Sequence, residues 1–208
     1  MNSLIPTTTF NDIFSIFLII GLFSLTRYSF YYYFNKNYKL GHNVICLIHA
    51  CGCCLLSLNV IYNQYKHMEV NFSFSMLRWY STSYFILDLI YCTRLKNSLG
   101  KWLIMYHHII SSYILFIPSI YSQAEVLFIG ELSNIPSYIL FYYSQLNNKV
   151  KVTYWNTVYK YVYTIIRVPI MGFILYIKLT TSNNPTFYYS GIPIYILGLL
   201  WSFRLLLS

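Results

Sequence analysis

His107 and His108 stand side by side in MYHHIISSYILFIP, an otherwise apolar run at residues 105–118. Imidazole exchanges protons near neutral pH and can attack a carbonyl, so the pair offers general acid–base or nucleophilic chemistry. An ionisable group within a membrane helix is costly, and such groups mark functional interiors rather than lipid-facing surfaces. Asp88, one apolar run earlier, has the chemistry to hold an imidazole in a useful tautomer. Asp88, His107 and His108 are therefore the candidate catalytic residues. His49, Ser111, Ser112, Glu131, Asn134 and Arg167 are the candidate substrate-binding residues.

Helical periodicity limits which of these can act together. Ser81, Tyr84, Asp88 and Tyr91 recur at steps of three and four, a polar stripe on a run that is apolar elsewhere. A carboxylate at mid-depth costs about 2.5–3.5 kcal/mol on insertion scales, so Asp88 is expected to meet a cation, an imidazole or a hydroxyl. Adjacent helical residues point about 100° apart, so one histidine of the pair should line an interior while the other orients it or touches a neighbouring helix. Lys101, Met105, His108, Ser111 or Ser112, and Ser119 form one stripe, His107 sits over Ser111, and Pro118 is a kink candidate.

Glu131, Asn134 and Tyr138 share a face, with Pro136 as a second kink candidate. Tyr163 precedes Arg167 by one turn and Pro169 follows it. The guanidinium is expected to pair with Asp88 or Glu131, or to snorkel to the interface. His49 has Cys46 and Cys53 at i−3 and i+4 on its own face. Cysteine and histidine can ligate zinc, but structural zinc takes four ligands. The expectation is small residues that let helices approach closely, with no metal site and no cofactor.

The elements that must position these groups are apolar spans, drawn at about 13–34, 42–62, 72–91, 99–121, 124–146, 155–179 and 188–206. Of the 208 residues 57% are hydrophobic and 9% charged, with mean hydropathy +0.51. Soluble domains carry about 25% charged residues, so a soluble protein is excluded. The net charge of +9 falls in short groups between spans, which argues against a nucleic-acid partner. All five cysteines lie in apolar runs, so no disulfide framework is expected. MNSLIPTTTFND lacks a basic stretch and a small-residue cleavage site, and no removable signal is expected. The turn Ser182-Asn183-Asn184-Pro185 is a loop signal.

Lys and Arg assigned to the connections number ten on one side (Arg27, Lys36, Lys39, Arg94, Lys96, Lys101, Lys149, Lys151, Lys160, Arg204) against three on the other (Lys66, Arg78, Lys178). Positive charge stays inside, which predicts a cytosolic C-terminus and a lumenal or outside N-terminus.

IHACGCCLLS, YFILDLIYC, MYHHIISSY and GELSNIPSY, in that order and followed by an arginine in the sixth span, resemble the TLC domain. Ceramide synthases, the translocating-chain-associating membrane proteins and a group of smaller TLC-domain proteins share that fold. The resemblance covers about residues 34–208. It implies an all-α, multi-pass bundle of about seven spans around a polar intramembrane cavity, one integral membrane domain over 1–208. By position it carries His49, Asp88, His107, His108, Glu131 and Arg167 onto the family's intramembrane polar sites. The region after the histidines reads YSQAEVLFIGELSN, with Glu125 and Glu131 but no His-Asp or DxxD, which is nearer the small TLC-domain proteins than the ceramide synthases.

The resemblance implies membrane lipid handling, with a membrane lipid as partner and an endoplasmic reticulum or other endomembrane location. The alternative enzyme would be a lipid acyltransferase taking acyl-CoA as co-substrate, with His108 as base or acyl acceptor. A seven-helix receptor or transporter is the third expectation, disfavoured by short loops and the lack of an inverted repeat. The polar residues of spans two to six are expected to converge on one chamber.

Overall fold

The computed structural model describes residues 10–116, 121–181, 186–189 and 191–207. Among them the chain is all-α: α1 (Phe10–Tyr33), α2 (Tyr38–Tyr65), α3 (Asn71–Thr93), α4 (Leu99–Leu115), α5 (Tyr121–Gln145), α6 (Lys149–Ile165), a π-helical segment (Ile166–Ile170), α7 (Met171–Thr181), the short α8 (Thr186–Tyr189) and α9 (Gly191–Leu207). The expected kink at Pro118, Ser119 and the loop 182–185 lie outside the described residues.

Polar side chains set the helix starts. Asn37 Oδ1 accepts from the Leu40 amide at 3.0 Å, Ser98 Oγ from Lys101 at 3.2 Å, and Asn148 Oδ1 from Lys151 at 3.1 Å. Two of these caps follow a left-handed residue, Lys36 at φ 64° and Asn147 at φ 54°, so the chain reverses within a few residues.

α1 (from Asn11), α2, and the continuous α6 to α7 rod (149–181) are long and apolar enough to cross a membrane. The expected seven spans all have helical counterparts, and four of these fall short of that standard for two different reasons. α4 and α9 are only 17 residues each, α9 apolar and α4 carrying Lys101 and the histidine pair. α3 and α5 are 23 and 25 residues long but carry the polar groups under study. α1 turns Phe14, Phe17, Leu18, Leu22 and Leu25 outward, an apolar exterior that lipid would cover.

The helices fall into two compact units, residues 1–128 and 129–208, the boundary lying within α5. In the first, α3 is central, packing on α1, α2 and α4. Its core joins Cys53 and Val60 of α2 to Phe74 and Leu77 of α3 and Ala124 of α5. Arg78, expected in a connection, instead lies buried inside α3. Its guanidinium donates to Asp12 of α1 at 2.9 Å, and Trp79 Nε1 donates to the same oxygen at 2.6 Å. A carboxylate arriving from α1 is what lets the charge enter the helix. In the second unit, α9 packs on α6, the π segment and α7.

Both units use one local device. The Tyr80 hydroxyl donates to Ile48 O at 2.9 Å, four residues before Gly52, and the Tyr195 hydroxyl donates to Val168 O at 3.2 Å, four residues before Gly172. A Cβ on Gly52 would lie 2.3 Å from the Tyr80 hydroxyl oxygen, and one on Gly172 2.6 Å from that of Tyr195. Gly52→Ala is therefore expected to displace the Tyr80 ring and lower stability by about 1–3 kcal/mol. Gly21→Ala, where no atom lies within 4 Å, should be neutral or slightly stabilising. Thermal unfolding in mild detergent reads both.

Candidate functional site

The buried face of α2 runs His42, Cys46, His49, Cys53, Ser57 and Val60, at steps of four and three. That of α3 includes Leu77, Ser81, Tyr84, Asp88 and Cys92. Where the two faces meet, His42 Nε2 lies 2.7 Å from Asp88 Oδ1. From α4, His108 Nε2 lies 2.6 Å from Asp88 Oδ2. His42, Asp88 and His108 are 7%, 6% and 8% exposed, so three helices bury one carboxylate between two imidazoles. The Cys92 thiol donates to Asp88 Oδ2 at 3.8 Å.

Each ring is held in place. His42 stacks on Tyr91 at 3.5 Å between centroids, and His108 packs 5.0 Å from Phe85. Donating Nε2–H to Asp88 fixes the tautomer and leaves Nδ1 as the lone-pair nitrogen of a neutral ring. In both His42 and His108 that Nδ1 is buried with no hydrogen-bond partner among the described residues.

The site lies toward one end of α2 and α3. Asp88 stands five residues before the end of α3 and His42 four after the start of α2, or roughly 6–8 Å from the helix ends. The same end carries an aromatic and cationic rim. Tyr38 stacks on Tyr91 at 5.5 Å, Arg94 donates to the Tyr38 hydroxyl at 3.2 Å, and Arg27 sits 5.4 Å over the Tyr38 ring. The Lys101 ammonium donates to the Thr93 and Leu95 carbonyls, each at 3.3 Å, closing the end of α3.

Of the adjacent pair, His108 is the buried member, and His107 is half-buried with its ring 5.4 Å from that of His108. Ser111 is buried and Ser112 half-buried on the turn beyond. His49 is fully enclosed, stacked 3.7 Å from Tyr84 and 5.5 Å from Tyr80. Cys53 meets the Ser81 hydroxyl at 3.4 Å. His49 and Cys53 thus pack among aromatic and small side chains.

Glu131, Asn134 and Arg167 belong to the second unit. Arg167 is buried, so it does not snorkel, and its described hydrogen bonds end on neutral groups instead of a carboxylate. Nε donates to Ser133 Oγ at 2.8 Å, and one terminal nitrogen donates to Gly130 O at 3.0 Å and Asn134 Oδ1 at 3.5 Å. Its guanidinium carbon lies 5.4 Å over the Tyr163 ring, the neighbour one turn back that the spacing predicted. Arg167 falls in the π segment with Pro169. A proline removes an amide donor, and π turns commonly relieve such a break at functional positions. Glu131 is buried beside Gly130, and Pro136 lies inside α5.

A model of the TLC domain matches residues 39–207, four-fifths of the sequence. The chain belongs to the TLC domain family. No curated protein and no solved structure matches it. The family match takes in every helix after α1, and with them both polar clusters of this TLC-domain protein. It is an integral membrane protein of TLC type.

His42 is the residue that sequence reasoning missed. The signal was present: extending the Cys46, His49, Cys53 stripe back by four residues reaches His42. Chemically, the carboxylate holds both rings in one tautomer and leaves two buried imidazole nitrogens able to accept a proton or attack an electrophile.

Proposed function

We propose that this protein handles a membrane lipid, held with its polar group against His108 and Asp88 and its chains along the apolar flanks of α2 to α4. The observation that carries this reading is the burial of one carboxylate between His42 and His108 just inside a rim of Tyr38, Tyr91, Arg27 and Arg94. Polar groups buried that close to a basic, aromatic helix end suit a lipid head group entering from the interface. Ser111 and Ser112 offer hydroxyls one turn further along α4.

Acyl transfer is the second reading, favoured by the unpartnered His108 Nδ1. With Asp88 fixing the ring, that nitrogen would act as general base or acyl acceptor, and acyl-CoA would be the co-substrate.

Mass spectrometry of lipid copurifying in mild detergent tests the first reading. A defined lipid class should accompany the wild type and fall about tenfold in His108→Ala, equivalent to ~1.4 kcal/mol of binding. An identical lipid profile in the two proteins overturns it. Incubation with acyl-CoA and long-chain amines or alcohols tests the second, which requires a product that His108→Ala abolishes.

We place the C-terminus in the cytosol, the N-terminus in the lumen or outside, and the protein in the endoplasmic reticulum or another endomembrane. The count of ten basic residues against three in the connections supports that orientation. Glycosylation of a C-terminal acceptor tag would overturn it.

A further inference from the structure

The turn of α2 that holds His42 also holds Cys46, four residues on and on the same face. One ligand atom from each of His42, Cys46 and Asp88 lies within 4.8 Å of the others, and all three side chains are buried. Zinc bonds run about 2.0–2.1 Å to nitrogen, 2.0–2.2 Å to oxygen and 2.3 Å to sulfur, so a tetrahedral site separates its ligand atoms by roughly 3.3–3.6 Å. The His42 to Asp88 distance of 2.7 Å needs to open by only roughly 0.6 Å for a metal to replace the shared proton.

We propose that His42, Cys46 and Asp88 bind a zinc ion, as three protein ligands with the fourth position open. The donor set selects the metal. A thiolate with an imidazole and a carboxylate suits zinc, whereas magnesium and calcium take oxygen ligands. Three ligands and an open position are the pattern of zinc sites that polarise a bound water or carbonyl oxygen.

The remaining contacts serve the ligands. Asp88 turns Oδ1 to His42 while His108 holds Oδ2, so His108 becomes a positioning residue for the carboxylate. The Tyr91 ring stacked on His42 fixes the imidazole plane. Binding releases the thiol proton of Cys46 to solvent, while the His42 proton moves from Nε2 to Nδ1 so that the neutral ring ligates through Nε2. Thiolate and carboxylate together balance the zinc charge. The site stands or falls independently of the lipid reading.

The test uses the full chain in mild detergent, purified without chelator, with elemental analysis and then stripping and titration with Co2+ as spectroscopic probe. Expected are one zinc per chain as purified, and one bound Co2+ with a near-ultraviolet thiolate charge-transfer band. Cys46→Ser, nearly isosteric, should keep its helical circular dichroism and lose that band. His108→Gln should keep the band with Co2+ affinity weakened by about tenfold or more. Absence of the band in the wild type overturns the proposal, and so does its persistence in folded Cys46→Ser. Because the readout is metal and not lipid, its failure leaves the lipid result intact.

Discussion

Asp88→Ala is expected to be the most damaging single substitution in the first unit, lowering stability by about 3–5 kcal/mol. The carboxylate meets His42 at 2.7 Å and His108 at 2.6 Å, and all three groups are buried. Truncating it strands two imidazoles that have already given up their hydration, and the desolvation of a polar group without a partner is what makes such losses large. Asp88→Asn keeps the shape but can accept hydrogen bonds through only one of its two side-chain heavy atoms, so at most one histidine retains its bond. It should fall between wild type and alanine. Thermal unfolding in mild detergent ranks the three proteins. Equal stability of wild type and Asp88→Ala would mean that the histidines find other partners and that the carboxylate does not organise the site.

Arg167→Lys is expected to cost about 2–3 kcal/mol in the second unit despite conserving charge. The planar guanidinium reaches Ser133 through Nε and Gly130 O and Asn134 Oδ1 through a terminal nitrogen, two directions at once from one rigid fork. An ammonium on a flexible stem cannot reproduce that fork, and Ser133, fully buried, would lose its Arg167 contact. Arg167→Met, which also removes the charge, should be no worse than lysine if the hydrogen-bond geometry dominates. A lysine variant as stable as wild type would show that charge alone matters there.

Much of the first unit was legible because its signals are local. Asp88, Tyr84 and Ser81 recur at helical spacing, and their shared face is buried as that spacing requires. The 100° offset between His107 and His108 required one to face inward, and His108 does. What the sequence hid depends on distant partners. Arg78 reads as a connection charge until Asp12, sixty-six residues earlier, arrives to pair with it. Arg167 invites a carboxylate partner, yet its described bonds go to a serine, a carbonyl and an amide of α5 and to the Met171 sulfur, none of which carries a charge pattern to find. His42 was hidden differently. It stands where the apolar run begins, so it reads as a boundary residue, although its spacing to Cys46 and His49 already put it on the inner face.

Asp88 lies three residues inside the end of the drawn span 72–91 and five inside the end of α3, little more than one helical turn. Arg27, Arg94 and Lys101 lie at that same helix end, where positive charge lowers the cost of an ionised carboxylate.

Photo-crosslinking with a lipid carrying a diazirine near its polar end, followed by peptide mapping, tests most directly whether that end rests against His108 and Asp88. Adducts should concentrate on the inner faces around His42, Asp88, Tyr91 and His108, and His108→Ala should reduce them. Adducts spread over the outward side chains of α1, such as Phe14, Phe17 and Leu18, and unchanged by that substitution would contradict it.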